Sequence, residues 1–462
     1  MGIKSISKRQ KLYPKTDSMI DRFSDLSNSL LCHILSFLTT KEAVATSILS
    51  RRWKTLWTLV PKLDLDIDNM HLSLDKIGKC NEPINISYTD VVSRVLALHI
   101  APFIRSFRLR CNSDCPPFHF DTWIRTAIAR NVEELKLLIF YSYGIHMGLP
   151  CSIFYCQTLV ALELSGGIDL DPPSSFQLPN LKILRLLEIY YCKDSSCFSR
   201  LLSGCPVLED LSFERDGYDC LYHFEISVPT LKCLRIAFRP YRLDLNDYTI
   251  EIKAPALEYF KFEGDLGHIV LLEKLDNLFE ADVHICSFDG SDSLEEHQKR
   301  CYGDRVFKLL RALTTAKFLL LFPGVTECFG FGSIYPSKFL NLVHLDFKLN
   351  PSNWHVLQAL LLVAPNLEVL VVDKCYYKSK DKLCWMEPPD DPGYLSSNLT
   401  SFNFRGFKGL KLEVEFVKYI LKEARTLKTM TINVSSGELK ESVVEKLSKL
   451  PRLSRTCLVT VE

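Results

Sequence analysis

DRFSDLSNSLLCHILSFLTTKEAVATSILSRRWKTLWTLVP, residues 21–61, is the stretch that decides how this chain is built. Apolar residues at Leu30, Leu31, Ile34, Leu35, Phe37 and Leu38 recur at the spacing of one broad helical face. A helix is therefore expected over Ser27 to Leu38. Thr39 and Thr40 break the pattern, and Thr40 is placed to cap a second helix through Ile48 and Leu49. Arg51, Arg52 and Trp53 turn the chain into a short third segment with Leu56 and Trp57, which Pro61 ends. About forty residues are too few to bury so many large side chains against one another. Segments of this size are marginal without a metal, disulfides or a partner. Each large apolar side chain fully buried is worth roughly 1.5–3 kcal/mol. Five or six of them on a partner would supply about 10 kcal/mol gross, comparable to what association costs. The physical reading is a docking module that completes its core on another protein.

These residues also carry a resemblance. The pattern Leu30-x-x-x-Ile34-Leu35-x-x-Leu38, the Ser50-Arg51-Arg52-Trp53 turn and the closing Leu56-Trp57 resemble a plant F-box. The resemblance implies docking on the Skp-type adaptor of SCF ubiquitin ligases and, through it, on the cullin scaffold. The docking module is assigned to Leu26, Leu30, Leu31, Ile34, Leu35, Leu38, Ile48, Trp53 and Trp57, some of which must form its internal core. Such families usually have Leu-Pro where this chain has Leu26-Ser27. Proline starts a helix by fixing φ, and serine starts one by capping a free N–H.

On the N-terminal side, residues 1–20 carry Lys4, Lys8, Arg9, Lys11 and Lys15 with little apolar content, and a disordered basic leader is expected. On the C-terminal side the character changes after Pro61. An apolar-x-x-apolar-x-apolar unit recurs as Ile104-Phe107-Leu109, Val132-Leu135-Leu137, Leu159-Leu162-Leu164 and Leu181-Leu184-Leu186. It continues as Leu208-Leu211-Phe213, Leu231-Leu234-Ile236, Leu257-Phe260-Phe262, Leu342-Leu345-Phe347 and Leu367-Leu370-Val372. From Ile104 to Leu257 the first positions step by 28, 27, 22, 27, 23 and 26 residues, in or near the range of leucine-rich repeats. Pro206, Pro229, Pro255 and Pro365 stand two residues upstream of their copies and direct the chain into strands. Helix-like pieces lie between copies at Asp121–Arg130, Cys197–Ser203 and His355–Val363. Weaker copies at Leu278-Ala281-Val283 and Leu313-Ala316-Phe318 flank a polar insertion, Ser287–Lys299. The consequence is a solenoid of short parallel strands backed by helices or loops around one leucine core.

After the Pro388-Pro389-Asp390 turn, two further strands are expected at Leu399-Phe402-Phe404 and Leu427-Met430-Ile432, with a helix over Glu415–Arg425 between them. With Trp385, Leu395-Ser396-Ser397-Asn398-Leu399, Phe407-Lys408-Gly409 and Phe416 to Leu421, this region resembles the FBD domain that closes many plant F-box proteins. The fold expected is α/β: a helical F-box at 21–62, an irregular leucine-rich-repeat solenoid at 63–384 and an FBD-type cap at 385–462.

Composition narrows the function. The 462 residues hold 56 Lys and Arg against 55 Asp and Glu, a formal charge of +1, which argues against a bulk nucleic-acid or membrane binder. No apolar run reaches the length of a bilayer span. Seventeen scattered cysteines without a secretory signal read as reduced thiols in the cytosol or nucleus. No Walker A loop, His-Glu-x-x-His or nucleophile elbow is present, and Gly330-x-Gly332 lacks a third glycine. The sets Cys111, Cys115, His119 and Cys192, Cys197, Cys205 each lack a fourth zinc ligand. No cofactor, metal or catalytic residue is expected. Residues expected on the concave face, Arg108, Lys136, Glu163, Arg185, Asp210, Arg235, Lys261, Asp282, Lys317, His344, Asp346 and Ser401, mix both charge signs. That favours a protein target over nucleic acid. The expectation is a non-catalytic receptor subunit that holds a target for ubiquitination. The alternative is a repeat-based binding module whose F-box is vestigial or non-degradative.

Overall fold

The alternation of apolar and polar residues becomes one parallel sheet. The structure is a computed structural model describing residues 25–66, 87–112, 115–140, 146–191, 196–215, 221–238, 248–271, 275–285, 296–322, 338–350, 353–374, 398–434 and 440–462. Its main sheet has fifteen strands, stacked in chain order. They are β1 (Lys62–Asp66), β2 (Ser106–Asn112), β3 (Glu134–Phe140), β4 (Ala161–Gly166) and β5 (Ile183–Leu187). Then come β6 (Asp210–Arg215), β7 (Cys233–Phe238), β8 (Tyr259–Gly264), β9 (Glu280–Ile285) and β10 (Phe318–Leu321). The last are β11 (His344–Leu349), β12 (Val369–Lys374), β13 (Ser401–Phe407), β14 (Thr429–Val434) and β15 (Leu458–Val461).

Register stacks like residue on like residue. Leu109, Leu137, Leu164, Leu186, Phe213, Ile236 and Phe262 follow one another strand by strand in one buried row. Such a row is a single core that no repeat could bury alone. Each of the four prolines begins a turn that delivers its strand. Leu208 N–H donates to Cys205 C=O, Leu231 to Val228, Leu257 to Ala254 and Leu367 to Ala364, with proline at the second turn position.

The back of the sheet is irregular, as the uneven repeat steps imply. Helices Pro117–Ala129, Cys197–Ser203, Trp354–Val363 and Lys411–Glu423 occupy the places expected for them, with ends shifted by up to four residues. Elsewhere, short parallel rows replace helices: Met147–Gly148 with Ile168–Leu170 and Tyr190–Tyr191, and His223–Ser227 with Thr249–Lys253 and His268–Leu271. The alternation in HFEIS and TIEIK suits a strand and gives no helical face.

Two expectations are corrected. In the copy read as Leu313-Ala316-Phe318, Leu313 and Ala316 are buried, but Leu319 and Leu321 complete the core. Phe318 opens β10 on the other face, and Lys317 precedes the strand. A run of five apolar residues from 318 to 322 carries no alternation to reveal which ones point inward. The sheet also has an unforeseen strand at each end, β1 and β15. Residues 287–295, 375–397 and Cys192 lie outside the described residues, while Glu296 begins a helix running to Ala312. The sheet is continuous where the C-terminal region begins: β12 pairs with β13 in parallel, Leu370 opposite Phe402 and Val372 opposite Phe404.

Candidate docking surfaces

The helical module starts where Ser27 Oγ accepts the Leu30 backbone N–H at 3.3 Å, so serine caps α1 (Asn28–Leu35). Thr39, not Thr40, caps α2 (Thr40–Ala45), because Glu42 reaches back to complete a capping box. The Thr39 backbone N–H and hydroxyl hold the Glu42 carboxyl below its usual range. A 3₁₀ turn at Thr46–Ile48 follows, then α3 (Trp53–Leu56) and a second 3₁₀ turn at Trp57–Leu59. Arg52 explains the Ser-Arg-Arg-Trp turn. Its guanidinium donates to Leu26 C=O and to Asn28 Oδ1, tying the third segment to the start of the first.

This fold sorts the nine assigned residues. Leu31 and Leu35 are buried, and with Ala43, Leu56, Trp57 and Val60 they form a small core of the module's own. Leu26, Leu38 and Trp53 pack on that core and are half-buried. Leu30, Ile34 and Ile48 point away from it, at 51, 39 and 88 % exposed. Three exposed neighbours stand outside the assigned set: Phe37 at 73 %, Leu49 at 64 % and Leu59 at 37 %. Phe37 was already visible in the apolar pattern of the first helix, and Leu49 at the end of the second. Six large apolar side chains on one short module are thus left to solvent, which makes it a candidate interaction surface.

The module is bonded to the sheet. Thr40 Oγ1 accepts the Asp64 N–H of β1 at 2.7 Å, and this buried bond is the role of Thr40. Thr58 C=O accepts Ile100 and Ala101 N–H, and Pro61 C=O accepts Arg105 N–H. Val95, on the helix Tyr88–Leu98, packs against both the module's core and the solenoid's. Thr40→Val is expected to leave the Asp64 donor unmet, at a cost of about 1–3 kcal/mol. Faster hydrogen exchange at the Asp64 amide would report it.

His99 sits in the same junction, 1 % exposed. Its Nε2–H donates to Val60 C=O at 2.8 Å, and its Nδ1 accepts from Arg130 at 2.9 Å. Burial pushes the imidazole below its ordinary value. The Val60 carbonyl opposes that shift, and the Arg130 charge adds to it. His99 is therefore folded as the neutral form. Its contribution is complete above the unfolded value of about 6.5 and is lost as pH falls from there through the folded value. A profile of Tm against pH is expected to decline below about 6.5, and His99→Gln to flatten that decline.

The open face of the sheet is the second candidate surface. On its first strands the charges close on one another. Arg108 reaches Asp64 at 3.4 Å, and Arg110 reaches Asp66 at 3.2 Å. Glu163 lies between Lys136 and Arg185, and Asp210 between Arg185 and Arg235. No group of three or more His, Cys, Asp or Glu placed to hold a metal occurs among the described residues. No helix among them is long and apolar enough to cross a membrane.

Helices with an unpartnered apolar row, bonded to the first strand of a one-sided parallel sheet, define an F-box joined to leucine-rich repeats. Comparison with known families agrees. The F-box domain model matches residues 23–65, and the model described as At1g61320/AtMIF1, LRR domain, matches residues 95–462. The F-box/FBD/LRR-repeat protein At4g26340 of Arabidopsis thaliana is 32 % identical over 448 residues, covering 94 % of this chain and 98 % of that one. The F-box/FBD/LRR-repeat protein At2g04230 is 33 % identical over 430 residues, 91 % of this chain and 90 % of its own. The F-box/LRR-repeat protein At4g14096 is 31 % identical over 461 residues, 95 and 94 % of the two chains. The chain belongs to the F-box/LRR-repeat family.

Proposed function

We propose that this chain is a substrate-recognition subunit of an SCF-type ubiquitin ligase. The F-box helices dock on a Skp-type adaptor, the adaptor joins them to the cullin scaffold, and the repeat sheet holds a target protein. The observation that carries this reading is the division of α1. Leu31 and Leu35 serve the module's own core, while Leu30 and Ile34, one residue back, lie outside it and stay open to solvent. A helix that spends one row of leucines internally and leaves the adjacent row bare has that row available for a partner. The chain then acts by position. It raises the local concentration of the target beside a ubiquitin-loaded enzyme and fixes its orientation, while the bond-making belongs to other subunits. Co-expression of the full chain with a Skp-type adaptor and a cullin tests the reading. A stable ternary complex on size-exclusion chromatography is expected; failure to recover the adaptor would leave the repeat sheet as a binding module alone.

A further inference from the structure

Each strand of the sheet shows alternate residues to the open face. On β10 these are Phe318 and Leu320, followed one residue past its end by Phe322, all apolar. No other strand among the described residues presents three apolar side chains there. Rings on the neighbouring strands extend the surface. Phe279 lies against Phe318 with centroids 4.8 Å apart, Phe318 stacks on His344 at 5.2 Å, and His284 stacks on Phe322 at 4.2 Å. Val369 of β12 continues it, with Val371 buried beside it.

Charge on this part of the face is unbalanced. Register sets Asp282, Leu320 and Asp346 in one row across β9, β10 and β11, so Leu320 has a carboxylate on either side. Asp282 is 8 % exposed, and its Oδ1 accepts no hydrogen bond. Its Oδ2 lies 3.7 Å from Lys261 Nζ, a long contact that Lys261 divides with Glu263 at 3.5 Å. Asp346 meets Lys348 at 3.4 Å, and Lys348 is bound more closely to Asp373, at 2.9 Å. Over β8 to β13 the open-face carboxylates Glu263, Glu280, Asp282, Asp346 and Asp373 outnumber the cations Lys261, Lys348 and Arg405. On the first strands, by contrast, Glu163 and Asp210 each have a cation on both sides. Burial pushes the Asp282 carboxyl up, Lys261 and His284 oppose that shift, and Glu263 and Glu280 add to it.

We propose that this face is where the target docks, through an extended protein segment carrying an arginine or lysine between apolar side chains. The proposal rests on the reading of the sheet as a target-binding surface. The cationic head meets the accessible edge of the Asp282 carboxylate and Asp346, and its methylene stem crosses Leu320. The flanking apolar side chains lie on the Phe318 and Phe322 rings. Arginine suits the site best, because a guanidinium both pairs with carboxylates and stacks on rings. A nucleic acid would set its phosphates against these carboxylates.

The test pans a random dodecapeptide display library on the full chain, with adaptor capture assayed separately. Peptides that are enriched are resynthesised with fluorescein and measured by anisotropy. Arg or Lys flanked by apolar residues is expected in the enriched peptides. Asp282→Asn/Asp346→Asn and Leu320→Ser are expected to weaken them at least tenfold, while Glu163→Gln leaves affinity unchanged. Hydrogen exchange at β9 to β11 that matches wild type in each variant excludes local misfolding, which adaptor capture at the far end of the array would not report. Enrichment of acidic or uncharged peptides, no enrichment, or an Asp282→Asn/Asp346→Asn variant that binds as wild type would overturn the proposal. So would free arginine amide binding as tightly as the peptides. Loss of adaptor capture in the wild-type chain would count against the ligase role alone, since the peptide measurement does not need the adaptor.

Discussion

Leu30→Asp/Ile34→Asp is expected to abolish capture of a Skp-type adaptor while leaving the fold intact. Both side chains are open to solvent and lie outside the module's core, so charging them strands no carboxylate inside the protein. In the proposed adaptor complex the same positions are covered. Two large apolar side chains forgo roughly 1.5–3 kcal/mol each, and two carboxylates then face burial without partners. The affinity loss is at least about a hundredfold, since each 1.4 kcal/mol is a factor of ten. Leu31→Asp is the contrasting substitution. Leu31 is fully buried, so that change is expected to unfold the module and lower Tm as well as binding. Adaptor titration by calorimetry, paired with thermal melts of each variant, separates the two effects. Wild-type affinity in the double variant would show that docking uses another face.

Glu413→Ala is expected to open the C-terminal end of the sheet. Glu413 is 1 % exposed and pairs with Lys374 at the end of β12. Its Oε2 also accepts the backbone N–H groups of Lys408 and Leu410 at 2.9 and 3.0 Å. One carboxylate therefore joins β12, the turn after β13 and the start of the helix Lys411–Glu423. Removing it leaves a largely buried ammonium and two donors without an acceptor, at a cost of about 3–5 kcal/mol. In a repeat array each unit contacts only its neighbours, so the damage stays local. Hydrogen exchange is expected to quicken at β13 to β15 and to remain unchanged at β2 to β6. Glu413→Met/Lys374→Met should recover only the part due to the stranded ammonium, because an apolar pair leaves no charge unpaired but still leaves the two backbone donors unmet. Unchanged exchange at β13 to β15 in Glu413→Ala would refute this account.

The parts of the fold legible in the sequence were those with strict period. Leu162 and Leu164, or Phe402 and Phe404, alternate with polar residues and so declare their face. In α1 the pairs Leu30/Ile34 and Leu31/Leu35 have the same helical spacing, so periodicity cannot say which pair turns inward. That choice is made by Leu56 and Trp57, some twenty residues further along, which pack on one row and not the other. Thr39 and Thr40 are equivalent as caps until Glu42 selects the first and the Asp64 amide engages the second. The face at β10 was hidden for another reason. Its inward leucines and its open-face rings are all apolar, and the register of the neighbouring strands decides between them.

A sheet that grows by one strand per repeat also measures distance. The helices run into β1 through only Val60 and Pro61, and hydrogen bonds accepted by Thr40 and Thr58 hold the junction, so the count starts from a fixed zero. β10 lies nine strand spacings away. At about 4.8 Å each, that is roughly 43 Å along the sheet. Gaining or losing one whole repeat would move whatever is held there by about 5 Å and leave both binding faces untouched. Reach can therefore be tuned by repeat number, independently of what is bound at either end.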